Sequence, residues 1–198
     1  MKAVARRRLV MAGLLAPLLP LLPASPAAWA QSPPPVNGPA EVVAEIPGTR
    51  LLGRGTLRFM GLRVYDGRLW VGAAAPGTDW QAVPLALELQ YLRNLKGGLI
   101  AERSLKEMRR QGEIDEVSAE RWLGNMKQLF PDVGPGDRIT GVNLPGVGAR
   151  FFVNGQLRGE VREPEFARYF FGIWLSPRTS EPAMREQLLG LGATRSNP

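Results

Sequence analysis

Hydrophobic and polar positions alternate most clearly over residues 84–93, where Leu85, Leu87, Leu89 and Tyr91 fall on one side of an extended chain and Ala86, Glu88 and Gln90 on the other. Successive strand side chains point to opposite faces, so this segment reads as a strand with one dry and one wet face. Residues 41–46 alternate weakly. Residues 50–59 and 62–71 carry Leu, Phe, Val, Tyr and Trp between Gly48, Gly61 and Gly72, and all three stretches read as successive strands. After Lys96-Gly97-Gly98 the period lengthens to between three and four. Ala101, Leu105 and Met108 share a stripe that Arg103, Lys106, Arg109 and Arg110 largely avoid, which predicts an amphipathic helix. A second helix follows Gly112, with Ala119, Trp122, Leu123, Met126, Leu129 and Phe130 as its apolar stripe and Pro131 as its stop.

Strand character returns over 137–144, 149–153 and 156–161, and Asn154-Gly155 has the residues that a type I′ hairpin turn requires. Asp137, between Gly136 and Arg138, reads as a turn-shaping side chain. Glu163-Pro164-Glu165 opens a helix with proline in the first turn and acids near the positive end of its dipole. Phe166, Tyr169, Phe170, Phe171, Ile173 and Trp174 make that helix apolar nearly all round, so it is expected to be buried. A last helix runs from Ser180-Glu181-Pro182 through Leu189. Strands, two helices, strands, two helices is the order of an α+β domain on a largely antiparallel sheet.

Charge alters this picture mainly at the N-terminus. Of 25 Lys and Arg against 18 Asp and Glu, four bases lie in the first eight residues and no acid precedes Glu41, which leaves a net charge of +3 from Gln31 onward. That balance lacks the clustered basic footprint of a nucleic-acid binder. Residues 1–30 read as a signal peptide: Lys2 and Arg6 to Arg8, an apolar run over 9–22, then Ala28-Trp29-Ala30. The three arginines leave Sec and twin-arginine export both open. The expected protein is exported to the periplasm or secreted, with no stable membrane insertion after cleavage. Residues 31–40 are a Pro-rich leader expected to be disordered, 41–192 the domain and 193–198 a tail. Neither His nor Cys occurs, which excludes disulfides, Cys-containing metal sites, Cys nucleophiles and a Ser-His-Asp triad. No metal or cofactor is expected.

Gly61 to Trp70 (GLRVYDGRLW), Leu87 to Arg93 (LELQYLR), Gly136 to Ile139 (GDRI), Phe151 to Gly155 (FFVNG) and Phe170 to Pro177 (FFGIWLSP) resemble, in order and spacing, the exported bacterial chalcone isomerase-like family. The resemblance runs from about Arg50 to Gly190. It implies an open-faced β-sandwich: a long curved antiparallel sheet, helices packed on one face, and an apolar cleft between them. In the wider superfamily, plant isomerases close a flavanone ring and related plastid proteins bind fatty acids in the same cleft. Both use an Arg from an early strand and a hydroxyl residue from the next. Tyr65 falls at the hydroxyl position, where the fatty-acid binders tend to have Tyr. The usual G-x-G-x-R becomes Gly53-Arg54-Gly55-Thr56-Leu57-Arg58, so the arginine is Arg58 after a one-residue shift, or Arg54. The Tyr and Asn of true isomerases have no counterpart over 99–110, where Ser104 is present instead.

The candidate ligand-binding residues are therefore Arg58, Tyr65, Tyr91 and Arg93, with no catalytic residue assigned. Tyr91 and Arg93 follow Leu85, Leu87 and Leu89 on one strand face, and an Arg at the end of an apolar row suits a carboxylate through two charge-assisted hydrogen bonds. The expected function is non-catalytic binding of a fatty acid or a similar small hydrophobic acid. The alternatives are an intramolecular lyase or isomerase that manages a phenolate and an enolate, and an envelope partner protein with no ligand.

Overall fold

A computed structural model describes residues 38–74 and 79–191, and in it the alternating segments pair into one six-stranded antiparallel sheet in chain order. The strands are β1 (Arg50–Phe59), β2 (Leu62–Val71), β3 (Leu85–Tyr91), β4 (Arg138–Leu144), β5 (Gly148–Val153) and β6 (Gln156–Val161). The helices are α1 (Ala40–Glu45), α2 (Gly97–Arg109), α3 (Glu116–Leu129), α4 (Pro164–Leu175) and α5 (Pro182–Leu188). The expected signal peptide, most of the leader and the tail lie outside the described residues. Among the described residues, no helix is long and apolar enough to cross a membrane.

The main core joins the dry face of the sheet to α2–α5. Leu69, Leu85 and Phe151 from the strands and Trp122, Phe166 and Phe171 from the helices are almost wholly buried within it. As expected, α4 is buried over most of its length; its Phe166 and Phe170 rings stack at 5.6 Å, and Phe151 meets Phe170 edge-on at 5.0 Å. Polar contacts fix the helix starts. The Asp132 carboxylate accepts from the Gly97 amide (3.0 Å) and from Lys96 Nζ (2.6 Å) at the start of α2. Glu163, just before α4, accepts from Arg121 (2.7 Å) and Trp122 Nε1 (2.9 Å) of α3. Asp137 shapes the turn before β4 by accepting from the Gly134 amide at 2.7 Å.

Two expectations are corrected. Residues 41–46 are not a strand: Ala40–Glu45 is the helix α1, and Val42 and Ile46, four residues apart, bury against Trp70, Ala86, Val142 and Phe152 on the far face of the sheet. Over six residues an i, i+4 pair and a weak alternation are nearly the same pattern, and the available sheet face decided between them. The supposedly wet face of β3 is consequently dry. Glu88 is 3% exposed and accepts from Trp70 Nε1 (2.9 Å), Arg68 (3.0 Å) and Arg138 (3.2 Å), while Glu41 of α1 takes Arg138 (3.3 Å) and Thr140 (3.2 Å). A buried carboxylate persists here because cations and donors saturate it. The sheet therefore carries four helices on one face and a short fifth on the other.

Candidate functional site

The helical layer does not close down on the sheet everywhere. Between β1–β3 and helices α2 and α4 lies a cavity of about 390 Å³. Leu57 and Phe59 of β1, Val64 and Tyr65 of β2, and Leu89 and Tyr91 of β3 form its floor. Ile100, Arg103, Ser104 and Glu107 of α2 form one wall, and Phe170, Ile173 and Trp174 of α4 the other. Arg93, Asn94, Leu99, Ser180 and Glu181 also border it.

Sheet register brings the two tyrosines together. Tyr65 lies directly opposite Tyr91, and the rings meet edge-on with centroids 5.8 Å apart. The Tyr65 hydroxyl accepts a 2.8 Å hydrogen bond from Trp174 Nε1, which leaves its own proton to donate. Tyr91 is 2% exposed, and its hydroxyl has no hydrogen-bond partner among the described residues. Burial pushes both phenols above their ordinary pKa of 10.0, so both stay neutral donors; the hydrogen bond from Trp174 opposes the shift at Tyr65. The Ser104 hydroxyl is already committed to the Ile100 carbonyl at 2.8 Å.

The four predicted residues do not all converge. Tyr65 and Tyr91 are in the cavity wall, and Arg93 is exposed at its border. Arg58 is exposed and does not line it. Its neighbours Leu57 and Phe59 both line the cavity, and a strand that turns those two inward turns the residue between them outward. Arg54 is exposed and likewise outside the lining, so neither cation of the glycine-rich segment is a wall residue; Leu57 faces Tyr65 across the ladder instead. Sequence reasoning read Trp174 as core and Arg103 as part of a solvated helix face, and did not single out Glu107. A tryptophan in an otherwise apolar helix needs an acceptor for its N–H, and that was the available signal for Trp174. Arg103 and Glu107 form an i, i+4 ion pair at 2.8 Å, with Glu107 also held by Arg110 at 3.4 Å, so the carboxylate at the cavity wall is neutralised.

An apolar wall with a few convergent donors suits an elongated or flat amphiphile and fixes its orientation. The comparisons agree with this architecture. A family model described as chalcone isomerase-like matches residues 37–190. A Haemophilus influenzae protein described as uncharacterized is 31% identical over 114 residues, which are 58% of this chain and 54% of that one, so the match spans about half the length of that relative. The crystal structure of an Arabidopsis thaliana fatty-acid binding protein superposes with a TM-score of 0.59 at 16% identity, covering 75% of this chain and 90% of that one. With sheet order, helical layer and family match in agreement over nearly all the described residues, the chain belongs to the chalcone isomerase-like family.

Proposed function

We propose that this protein is a non-catalytic carrier or receptor for a fatty acid or a similar hydrophobic acid, held in the cavity between β1–β3 and helices α2 and α4. The observation that carries the reading is the Tyr91 hydroxyl: a donor buried in an apolar wall, facing about 390 Å³ of open volume without a protein partner. Among the described residues no buried side-chain N or O lacks a partner, so the unpartnered Tyr91 hydroxyl opens on the cavity, where it is free to donate to a ligand oxygen. Tyr65 offers a second donor beside it, and Arg93 at the border supplies a guanidinium for the carboxylate. The structural likeness to a plant fatty-acid binding protein supports the same assignment. Residues 99–110, which hold neither the Tyr nor the Asn of true isomerases, favour binding over ring closure. We further propose that the chain is exported, on the strength of its basic, then apolar, then small-x-small N-terminus.

Calorimetric titration of the exported protein with saturated fatty acids of increasing length tests this. Saturable uptake with a negative heat-capacity change is expected, on a chain whose N-terminus reads Gln-Ser-Pro. No heat with any acid, or an N-terminus that retains residues 1–30, would reject the corresponding part of the reading.

A further inference from the structure

The tip of the hairpin between β1 and β2 is built against the ordinary rules of a soluble surface. Its sequence is Arg58-Phe59-Met60-Gly61-Leu62-Arg63, in which Phe59, Met60 and Leu62 are 59%, 86% and 54% exposed. Met60 and Gly61 both have positive φ, 49° and 79°, so the turn is of the kind that normally takes Asn-Gly. Placing methionine there puts an apolar side chain in a disfavoured backbone region in order to point it at solvent. Directly behind the apolar tip, Arg58 faces Arg63 across the ladder, a like-charged pair that destabilises a hairpin. Arg63 is paired with Asp66 at 3.1 Å, whereas Arg58 has no partner among the described residues. Phe59 borders the cavity, whereas Met60 and Leu62 belong neither to its lining nor to the described core clusters.

Both features make sense together if the tip meets a surface that is apolar inside and anionic outside. We infer that the β1–β2 hairpin docks on an anionic phospholipid bilayer, with Phe59, Met60 and Leu62 entering the interface and Arg58 and Arg63 lying among the phosphates. The border of the cavity would face the same way: Phe59 and Leu99, 61% exposed, both line the cavity, and Arg93 is exposed beside them without an ion-pair partner among the described residues. A second copy of the chain or an acidic protein could also cover an apolar tip. The charge arrangement favours lipid, because Arg58 without an ion-pair partner and the Asp66-paired Arg63 stand directly behind a small apolar point, as a headgroup layer stands over an acyl layer. Membrane docking goes beyond the acid-binding reading and does not need it to be correct.

The chain contains no cysteine, so Met60→Cys in the full-length protein gives a single attachment point for an environment-sensitive fluorophore. Val117, 72% exposed on α3, serves as the control position. On adding vesicles of phosphatidylglycerol and phosphatidylethanolamine, emission from position 60 should shift to shorter wavelength and position 117 should not respond. The shift should weaken in high salt, with phosphatidylcholine vesicles, and in the exposed charge-reversal variant Arg58→Glu/Arg63→Glu. The inference is overturned if position 60 stays in water, if both positions respond equally, or if position 60 is already shielded without vesicles or becomes so on raising protein concentration alone. The last pair of results would assign the tip to another segment or a second copy. Because the label reports immersion with the cavity empty or filled, a failure here is distinct from a failure to take up fatty acid.

Discussion

Tyr65 and Tyr91 are the same residue type on neighbouring strands, yet they have different duties. Tyr65 satisfies the indole of Trp174. Tyr65→Phe leaves that N–H buried without an acceptor and should cost about 1–3 kcal/mol in denaturant unfolding. Tyr91 makes no such bond, so Tyr91→Phe should be neutral or stabilising by up to about 1 kcal/mol while weakening fatty-acid binding roughly five- to tenfold. If both variants lose stability equally, Tyr91 is a structural residue. Their ionisation adds a pH signature. Burial raises both phenols above 10.0, so the unfolded chain releases these protons first. Their contribution is therefore intact below pH about 10 and declines above it. Tyr91→Phe should make that alkaline decline shallower by up to about 1.4 kcal/mol per pH unit; an unchanged slope in unfolding measured from pH 9 to 11 would contradict its burial. Tyr91 was readable from the fixed period of two along its strand and Tyr65 from the family resemblance, whereas Arg93 lies past the end of β3, where that period no longer governs. The face of Arg58 was not readable, since a one-residue shift along the same strand moves a side chain from cavity to solvent.

At the scale of elements, the glycines of the Gly53-x-Gly55 segment have a packing role that the resemblance alone did not supply. A Cβ on Gly53 would fall within contact distance of the carbonyl oxygens of Gln187 and Leu188, and one on Gly55 would meet the side chains of Gln187 and Met184. Helix α5 thus lies directly on the β1 backbone and closes the sheet beside the cavity. Gly53→Ala should lift α5 and destabilise the protein by about 1–3 kcal/mol, read by chemical denaturation; parent-like stability would show that α5 is not seated there. Most elements were legible in the sequence because a clear period was bounded by turn residues, as Asn154-Gly155 bounds β5 and β6 and Pro131 the end of α3. The exception was α1, where six residues fit either period and only the vacant far face of the sheet, with Trp70, Ala86 and Val142 awaiting cover, selects the helix.

For the whole molecule, the main consequence is an unequal treatment of the two sheet faces. One face is covered over its middle strands by α1, above a charge network in which Glu88 and Glu41 are paired. The other is covered by four helices that leave a hollow over β1–β3. The hollow itself could not be read from sequence, because aromatic residues at helical spacing fill a core and line a cavity with equal ease; Phe170 and Trp174 border the open volume, whereas Phe166 and Phe171 do not. What makes it a binding site in this account is that polar donors remain unspent inside it. Native mass spectrometry of the purified protein, before and after addition of palmitic acid, addresses this directly. A one-to-one adduct of the acid is expected, carried from the cell or gained on addition, and diminished in Tyr91→Phe. A bare chain at every concentration of acid would contradict it.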